Sequence, residues 1–416
     1  MTTTVQSGEA IGPARTRAEW VASIGMPLAV FGVYISLLPA INAALALRLE
    51  GMNSDTAASN LSWVLGLGAL CAMIVNPVAG RFSDRSTSRF GARRFWISLG
   101  AGVGFIGLVI VAFAPNVLLI IVGWVIAQSG FNAALAALFA ILPDQVPAQW
   151  RGKVAALIGV AGNAATPFGL FFVQLVGSAV LQALIPGIIG LVLIAGFVAM
   201  LKETPQPPSE EPFGLGKLFG AFVFNPRKHP DLGWAWLTRA LMTCAQMTAL
   251  SYLTLFLIED FGMSNDEAAT KVFYATLVNV VGVLITTSLA GWLSDKLGVR
   301  KPFVVVAGLI GVVGLVTIAL APNYGTLLVG EFVMGAGMGS FYAVDLALVT
   351  DVLPEDGDNA KDLGVINIAQ AAPQSLIPAA APSIISATGG YPGLFLTGGA
   401  FGVLGALAVL PVKKVK

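Results

Sequence analysis

Charge is what this chain has least of. Only 11% of its 416 residues are charged, against about 25% in a soluble domain. The formal net charge is +1, which argues against nucleic acid as a partner. Histidine occurs once, as His229 in a polar stretch, and cysteine twice, as Cys71 and Cys244 in apolar ones. A free cysteine in such a place acts as a small hydrophobe, and no Cys/His group has metal-ligand spacing. There is no Gly-x-x-x-x-Gly-Lys-Ser/Thr phosphate loop and no Gly-x-Ser-x-Gly elbow. Neither an ATP-driven pump nor a hydrolase is expected, and no cofactor. The polar N-terminus carries Arg15 and Arg17 without an apolar core and a small-residue cleavage site, so it does not read as a removed signal peptide.

What is abundant is apolar surface. Hydrophobic residues make up 56% of the chain, and mean hydropathy is +0.83. They gather in stretches of about 20 residues, the length that crosses a bilayer. The pattern predicts an all-α membrane protein with twelve spans, near 22–46, 58–80, 95–114, 117–141, 153–176, 179–201, 233–258, 268–292, 302–321, 325–350, 362–388 and 390–411. The expected organisation is a tail (1–21), a six-helix bundle (22–201), a linker (202–232) rich in Pro and Glu, a second bundle (233–411) and a short tail (412–416).

The two halves repeat. Gly80-Arg81-Phe82-Ser83-Asp84 after the second span recurs as Gly291-Trp292-Leu293-Ser294-Asp295 after the eighth. Ala114-Pro115-Asn116 recurs as Ala321-Pro322-Asn323, and Asp144-x-x-Pro147 as Asp351-x-x-Pro354. Both bundles have six spans, so the repeats run in the same direction. Of 23 Lys and Arg, only Arg48, Arg239 and Lys271 fall outside the tails and the even-numbered loops. By the positive-inside rule both termini are cytoplasmic, and the expected location is the plasma (inner) membrane.

Twelve spans in two halves with Gly-x-x-Ser-Asp after spans two and eight resemble the major facilitator superfamily. The run Ser83 to Ile97 is similar to the corresponding loop of the sucrose and glycoside:cation symporters, with departures at Ala92 and Phe95. Leu363-Gly364-Val365-Ile366-Asn367-Ile368-Ala369, then Pro373-Gln374, resembles a second motif of that group. The resemblance implies a secondary transporter of a sugar or glycoside, coupled to a proton or another cation. It also implies an intramembrane Asp in span four. Here Gln128 holds that position and Asn132 a following Asn; Gln cannot titrate, so that proton acceptor is missing.

Several residues are candidates for the chemistry. Trp124, Gln128 and Asn132 are four apart and share a helix face, offering an indole and amides to a polyhydroxylated solute. Asn163, Tyr342, Asn367, Gln370 and Gln374 add polar groups within spans. Tyr34 and Asn42 in span one are weaker candidates. Arg239 and Asp345 lie at similar depth in spans seven and ten. An intramembrane charge costs about 2.5–3.5 kcal/mol on insertion scales, so these two are expected to pair and to serve coupling. Glu331 is a separate candidate that can also snorkel outward. Gly80, Asp84, Arg85, Gly91 and Arg93, with Gly291, Asp295 and Arg300, form the expected cytoplasmic gate. Asp144 with Arg151, and Asp351 with Lys361 and Gly364, are expected contacts between the halves. The expected partners are a small solute, a coupling ion and the bilayer. Two other readings remain open: proton-driven efflux of drug-like molecules, and a non-transporting membrane sensor.

Overall fold

The computed structural model describes residues 20–203, 229–352 and 359–415; the side chains of Ala22, Leu346, 359–365 and Asn367 are not among them. Most of the expected N-terminal tail and linker therefore lies outside the described residues. Twelve long helices follow one another: α1 (Ser23–Glu50), α2 (Ala57–Asp84), α3 (Ala92–Phe113), α4 (Val117–Gln145), α5 (Ala148–Leu175), α6 (Ala179–Met200), α7 (Pro230–Glu259), α8 (Asn265–Leu297), α9 (Lys301–Ala319), α10 (Tyr324–Val352), α11 (Asn359–Thr388) and α12 (Tyr391–Ala408). Among the described residues, eleven of these are long and apolar enough to span a membrane. The twelfth, α11, is continuous but holds Pro373, Pro378 and Pro382 within it and carries Gln370 and Gln374. Where α1 begins and α12 ends is called here the terminal face.

Several helices outrun the predicted spans. α2 continues through Asp84 and α8 through Leu297, so the repeated Gly-x-x-x-Asp pentapeptide is the last turn of a helix and not a loop. Its polar residues are compatible with helix. What stops α8 is Gly298, whose φ of 66° gives a left-handed cap. The repeated Ala-Pro-Asn has an equally local cause. Asn116 Oδ1 accepts from Leu119 N at 3.0 Å, and Asn323 Oδ1 from Thr326 N at 3.0 Å. Each Asn caps the first turn of the fourth helix of its half.

The halves are pseudo-symmetric bundles. In the first, α1 packs on α5 and α6, α4 on α2 and α3, and α3 on α6; in the second, α7 packs on α11 and α12, α10 on α8 and α9, and α9 on α12. The junctions obey the same symmetry, α2 meeting α11 and α5 meeting α8. Glycine contacts set the tightest crossings. A Cβ on Gly107 would lie 2.3 Å from Ala127 N, and one on Gly314 2.3 Å from Met334 N. These glycines are equivalent, since 314 − 107 = 207. With little hydrophobic drive between helices in lipid, such close backbone approach carries much of the packing.

The apolar core decides how the halves meet. One cluster runs through the first half and on into the second near the face opposite the termini, from Leu45 and Leu49 to Leu253 and Phe256. A separate cluster, including Leu232, Val304, Phe341 and Val412, belongs to the second half alone at the terminal face. The halves are welded at the opposite face and parted toward the terminal one. The C-terminal segment is part of this second core: Val412 and Val415 are buried, and Asp231 accepts from the backbone N–H groups of Lys413 and Lys414 at 2.9 Å each.

Candidate functional site

The parting of the halves leaves a cleft open at the terminal face. Along the terminal half of α5, Ala155, Ala156, Leu157, Gly159 and Val160 are all exposed, and a Cβ added at Gly152 or Gly159 would meet nothing within 4 Å. Asn163, Gln370 and Gln374 are exposed, near the middle of their helices. Tyr342, 36% exposed, donates its hydroxyl to Gln246 Oε1. The side chain of Asn367 lies outside the described residues.

Three expected solute contacts stand elsewhere. Trp124 is fully buried, its indole against Gly68 of α2, where a Cβ would come within 2.5 Å of Nε1. It faces the α2 packing surface, not the cleft, and its Nε1 has no partner among the described residues. Asn132 Nδ2 donates to Gln128 Oε1 and to Gln128 O, both at 2.9 Å, so much of this amide pair is occupied within α4. The shared face was readable; the glycine that turns it toward α2 was not.

Arg239 and Asp345 meet. Arg239 Nε donates to Asp345 Oδ2 at 2.7 Å, and Nη2 reaches the same oxygen. The Asp345 side chain is 2% exposed and that of Arg239 14%. Because α7 starts at Pro230 and α10 runs to Val352, the pair sits roughly 10–14 Å inside the helix ends at 1.5 Å per residue. That is deeper than the predicted spans implied. Tyr342 stands one turn before Asp345 on α10 and is bonded to Gln246 of α7. Glu331 does not snorkel. It is buried, and its Oε2 accepts from Asn279 Nδ2 of α8 at 3.0 Å. It lies between α8 and α10, not on the cleft.

At the terminal face two matching charge clusters close the ends of the helices. Arg93 Nη1 donates to Asp84 Oδ1 at 2.5 Å and to Ser83 Oγ at 2.8 Å, while its Nε and Nη2 reach Asp144 Oδ2 at 3.1 and 2.9 Å. Arg300 Nη1 donates to Asp295 Oδ1 at 2.5 Å and Ser294 Oγ at 3.2 Å, with Nε 3.8 Å from Asp351 Oδ2. The expected contacts of Asp144 and Asp351 between halves are absent among the described residues; each carboxylate pairs inside its own half. Arg151 donates to the carbonyls of Val146 and Pro143, capping α4. The side chain of Lys361 is not among those described. Gly91 is required here: its φ is 104°, and a Cβ would lie 2.5 Å from Glu203 Oε2, which accepts from Arg94 N. Gly80 faces Ala136 and Gly291 faces Ala343 across the second-to-fourth helix contacts. Arg85 is half-buried nearby. Ser83, Ser294 and Glu203 were not anticipated as partners; the serines recur in the pentapeptide, which was the available signal.

The closed side carries its own polar contact. Residues Ala40–Ala44 of α1 form a π-helical turn, a feature that interrupts the regular ladder and recurs at functional sites. Inside it the Asn42 carbonyl accepts from Thr254 Oγ1 of α7 at 2.5 Å, with both residues buried. Phe171 and Phe273 pack between α5 and α8 with centroids 6.0 Å apart. Between α2 and α11 the outer, lipid-facing side of the junction carries an open apolar groove of about 240 Å³ lined by Trp63, Leu70, Ser375 and Leu376.

Comparisons with known proteins fit this geometry. The family described as Major Facilitator Superfamily matches residues 20–287 and 274–416. A multidrug resistance protein MdtL from Vibrio parahaemolyticus is 31% identical over 153 residues, 36% of this chain and 37% of that protein. Inositol transporter 4 of Arabidopsis thaliana is 31% identical over 93 residues, 22% of this chain and 15% of that protein. The chain thus matches 37% and 15% of the length of these two curated relatives. The crystal structure of a mutant nucleoside transporter NupG superposes with a TM-score of 0.75 at 12% identity, covering 94% of this chain and 99% of that one.

Proposed function

Since this chain belongs to the major facilitator superfamily, and so is a transporter and not an enzyme, we propose that it carries a small polyhydroxylated solute, a sugar or glycoside by preference, by alternating access. The observation that carries the reading is the cleft itself. It is sealed at one face by an apolar core shared between the halves, open at the other, and furnished near its middle with Asn163, Gln246, Tyr342, Gln370 and Gln374. Uncharged amides and a phenol both donate and accept, which suits a neutral solute rich in hydroxyls. The loop from Ser83 and the Asn367 motif, similar to those of glycoside symporters, favour the same class.

Coupling is assigned to the Arg239–Asp345 pair. Two buried charges in contact are costly to separate, and protonating Asp345 removes the charge–charge attraction that holds Arg239 to it. In this reading a proton or cation reaching Asp345 frees Arg239 toward the cleft through the Tyr342 side. Glu331, off the cleft, is not assigned to coupling. The terminal face is taken as cytoplasmic because Lys and Arg cluster there, which makes this arrangement inward-open. The Arg93 and Arg300 clusters then hold the inner helix ends of each half rigid as the halves rock.

The test is uptake of labelled sucrose, myo-inositol and uridine into proteoliposomes, with and without a pH gradient. Gradient-driven accumulation of any one supports the proposal. Absence of flux for all three removes it. One second reading has a specific support: the stretch similar to MdtL fits a drug-like cargo. Efflux of a cationic dye in the same vesicles decides for it.

A further inference from the structure

Two of the cleft amides share a feature that side-chain chemistry leaves unused. Asn163 of α5 and Gln374 of α11 are each followed four residues later by a proline, Pro167 and Pro378. Proline has no N–H, and its ring displaces the carbonyl four residues before it. The carbonyls of Asn163 and Gln374 therefore lose their helical donors. The same helix shows how such a group is satisfied inside protein. Pro382 frees the carbonyl of Pro378, and Tyr252 of α7 donates its hydroxyl to it at 3.1 Å. Among the described residues no side chain donates to the Asn163 or Gln374 carbonyl; the Asn163 amide itself turns back to Gly159 O at 2.9 Å.

Both positions look into the cleft. Seven residues on, on the same helical face, stand Leu170 and Ala381, each 0% exposed. That face of each helix points into protein. The lipid side is marked by Leu175, 61% exposed, on α5 and Leu376, 63% exposed, on α11. Asn163 and Gln374 are nevertheless exposed, because their level is where the halves have separated. They are also symmetry mates: 374 − 163 = 211 and 378 − 167 = 211, the same offset as 295 − 84 = 211 for the paired Asp residues.

We propose that the backbone carbonyls of Asn163 and Gln374, released by Pro167 and Pro378, are a pseudo-two-fold pair of hydrogen-bond acceptors, one from each half, that bind hydroxyl groups of the solute. This rests on the polyhydroxylated-solute reading above and says how such a solute is gripped. A backbone carbonyl can only accept, so the site selects for O–H donors. With one acceptor on each half, a single bound solute bridges the halves that must move.

Calorimetric titration of the full-length chain with sucrose, myo-inositol and uridine tests it. Pro167→Ala and Pro378→Ala each restore an N–H that re-engages the carbonyl. Each is expected to weaken binding about threefold to tenfold, the worth of one neutral hydrogen bond, with an unchanged or higher Tm. A second arm needs no variant. Deoxyfluoro analogues of whichever probe binds replace a donor by a group that cannot donate, and the analogue at each gripped position is expected to bind about threefold to tenfold more weakly. Unchanged Kd in both folded proline variants overturns the proposal while leaving the solute reading intact. So does full-strength binding of every fluoro analogue, and that series decides alone if the variants do not fold. Binding of a cationic dye with no binding of any hydroxylated probe overturns both.

Discussion

Replacing Thr254 by Val is the sharpest perturbation of the closed side. The two side chains are nearly isosteric, so packing at this fully buried position is kept. What is lost is the donor to Asn42 O, now at 2.5 Å. In water an unmade buried hydrogen bond costs about 1–3 kcal/mol. In membrane proteins the measured average is nearer 0.6 with a maximum near 1.7, so about 1 kcal/mol is a fair figure. If opening hydrates the Asn42 carbonyl, that cost falls on the closed state alone, and the open-to-closed ratio on this side rises about fivefold. Spin labels at Asn53 and Asp266, exposed residues on either side of the seam, report the ratio as the weight of the longer distance, in a background lacking Cys71 and Cys244. Thr254→Ser keeps the donor and is expected to behave as the parent. Asn42→Ala is expected to change the ratio little, because the acceptor is backbone. An unaltered distance distribution in Thr254→Val, or a larger effect from Asn42→Ala than from Thr254→Val, refutes the reasoning.

Other outcomes follow from the same geometry. Asp345→Asn leaves Arg239 facing a neutral partner and is expected to abolish accumulation against a gradient while sparing exchange; normal accumulation refutes the coupling role. Asp84→Asn removes one of the two carboxylates on Arg93 and is expected to lower uptake several-fold at unchanged membrane level, checked by quantitative blotting beside the flux assay. Gly107→Val forces a side chain into the Ala127 backbone; overpacking costs about 1–3 kcal/mol, to be seen as a fall in Tm and yield, and Gly314→Val is expected to match it in the second half. Truncation after Pro411 removes two buried valines and the two N–H groups held by Asp231. It is expected to lower Tm by several degrees, and an unchanged Tm shows that the C-terminal segment does not support the bundle.

Much of this protein was legible in the chain. Apolar run length set eleven of the twelve helices, because whether a segment leaves water depends on its own residues. The repeated Ala-Pro-Asn and Gly-x-x-Ser-Asp announced two like halves, because capping and helix-end charge pairing are local in cause. Arg239 and Asp345 invited pairing because the bilayer penalises a lone charge. Tertiary structure decided where each polar side chain looks. Trp124 shares a face with Gln128 and Asn132, yet Gly68 on another helix draws the indole away from the cleft. Glu331 meets Asn279, 52 positions away, and Asp144 turned to Arg93 in its own half and not across to the other. Rotation and tilt of a helix are set by backbone contacts such as Gly107 on Ala127, which join residues distant in sequence. No periodicity within one segment carries that information. The same holds for the open end of the cleft, which depends on how two finished bundles lean on each other.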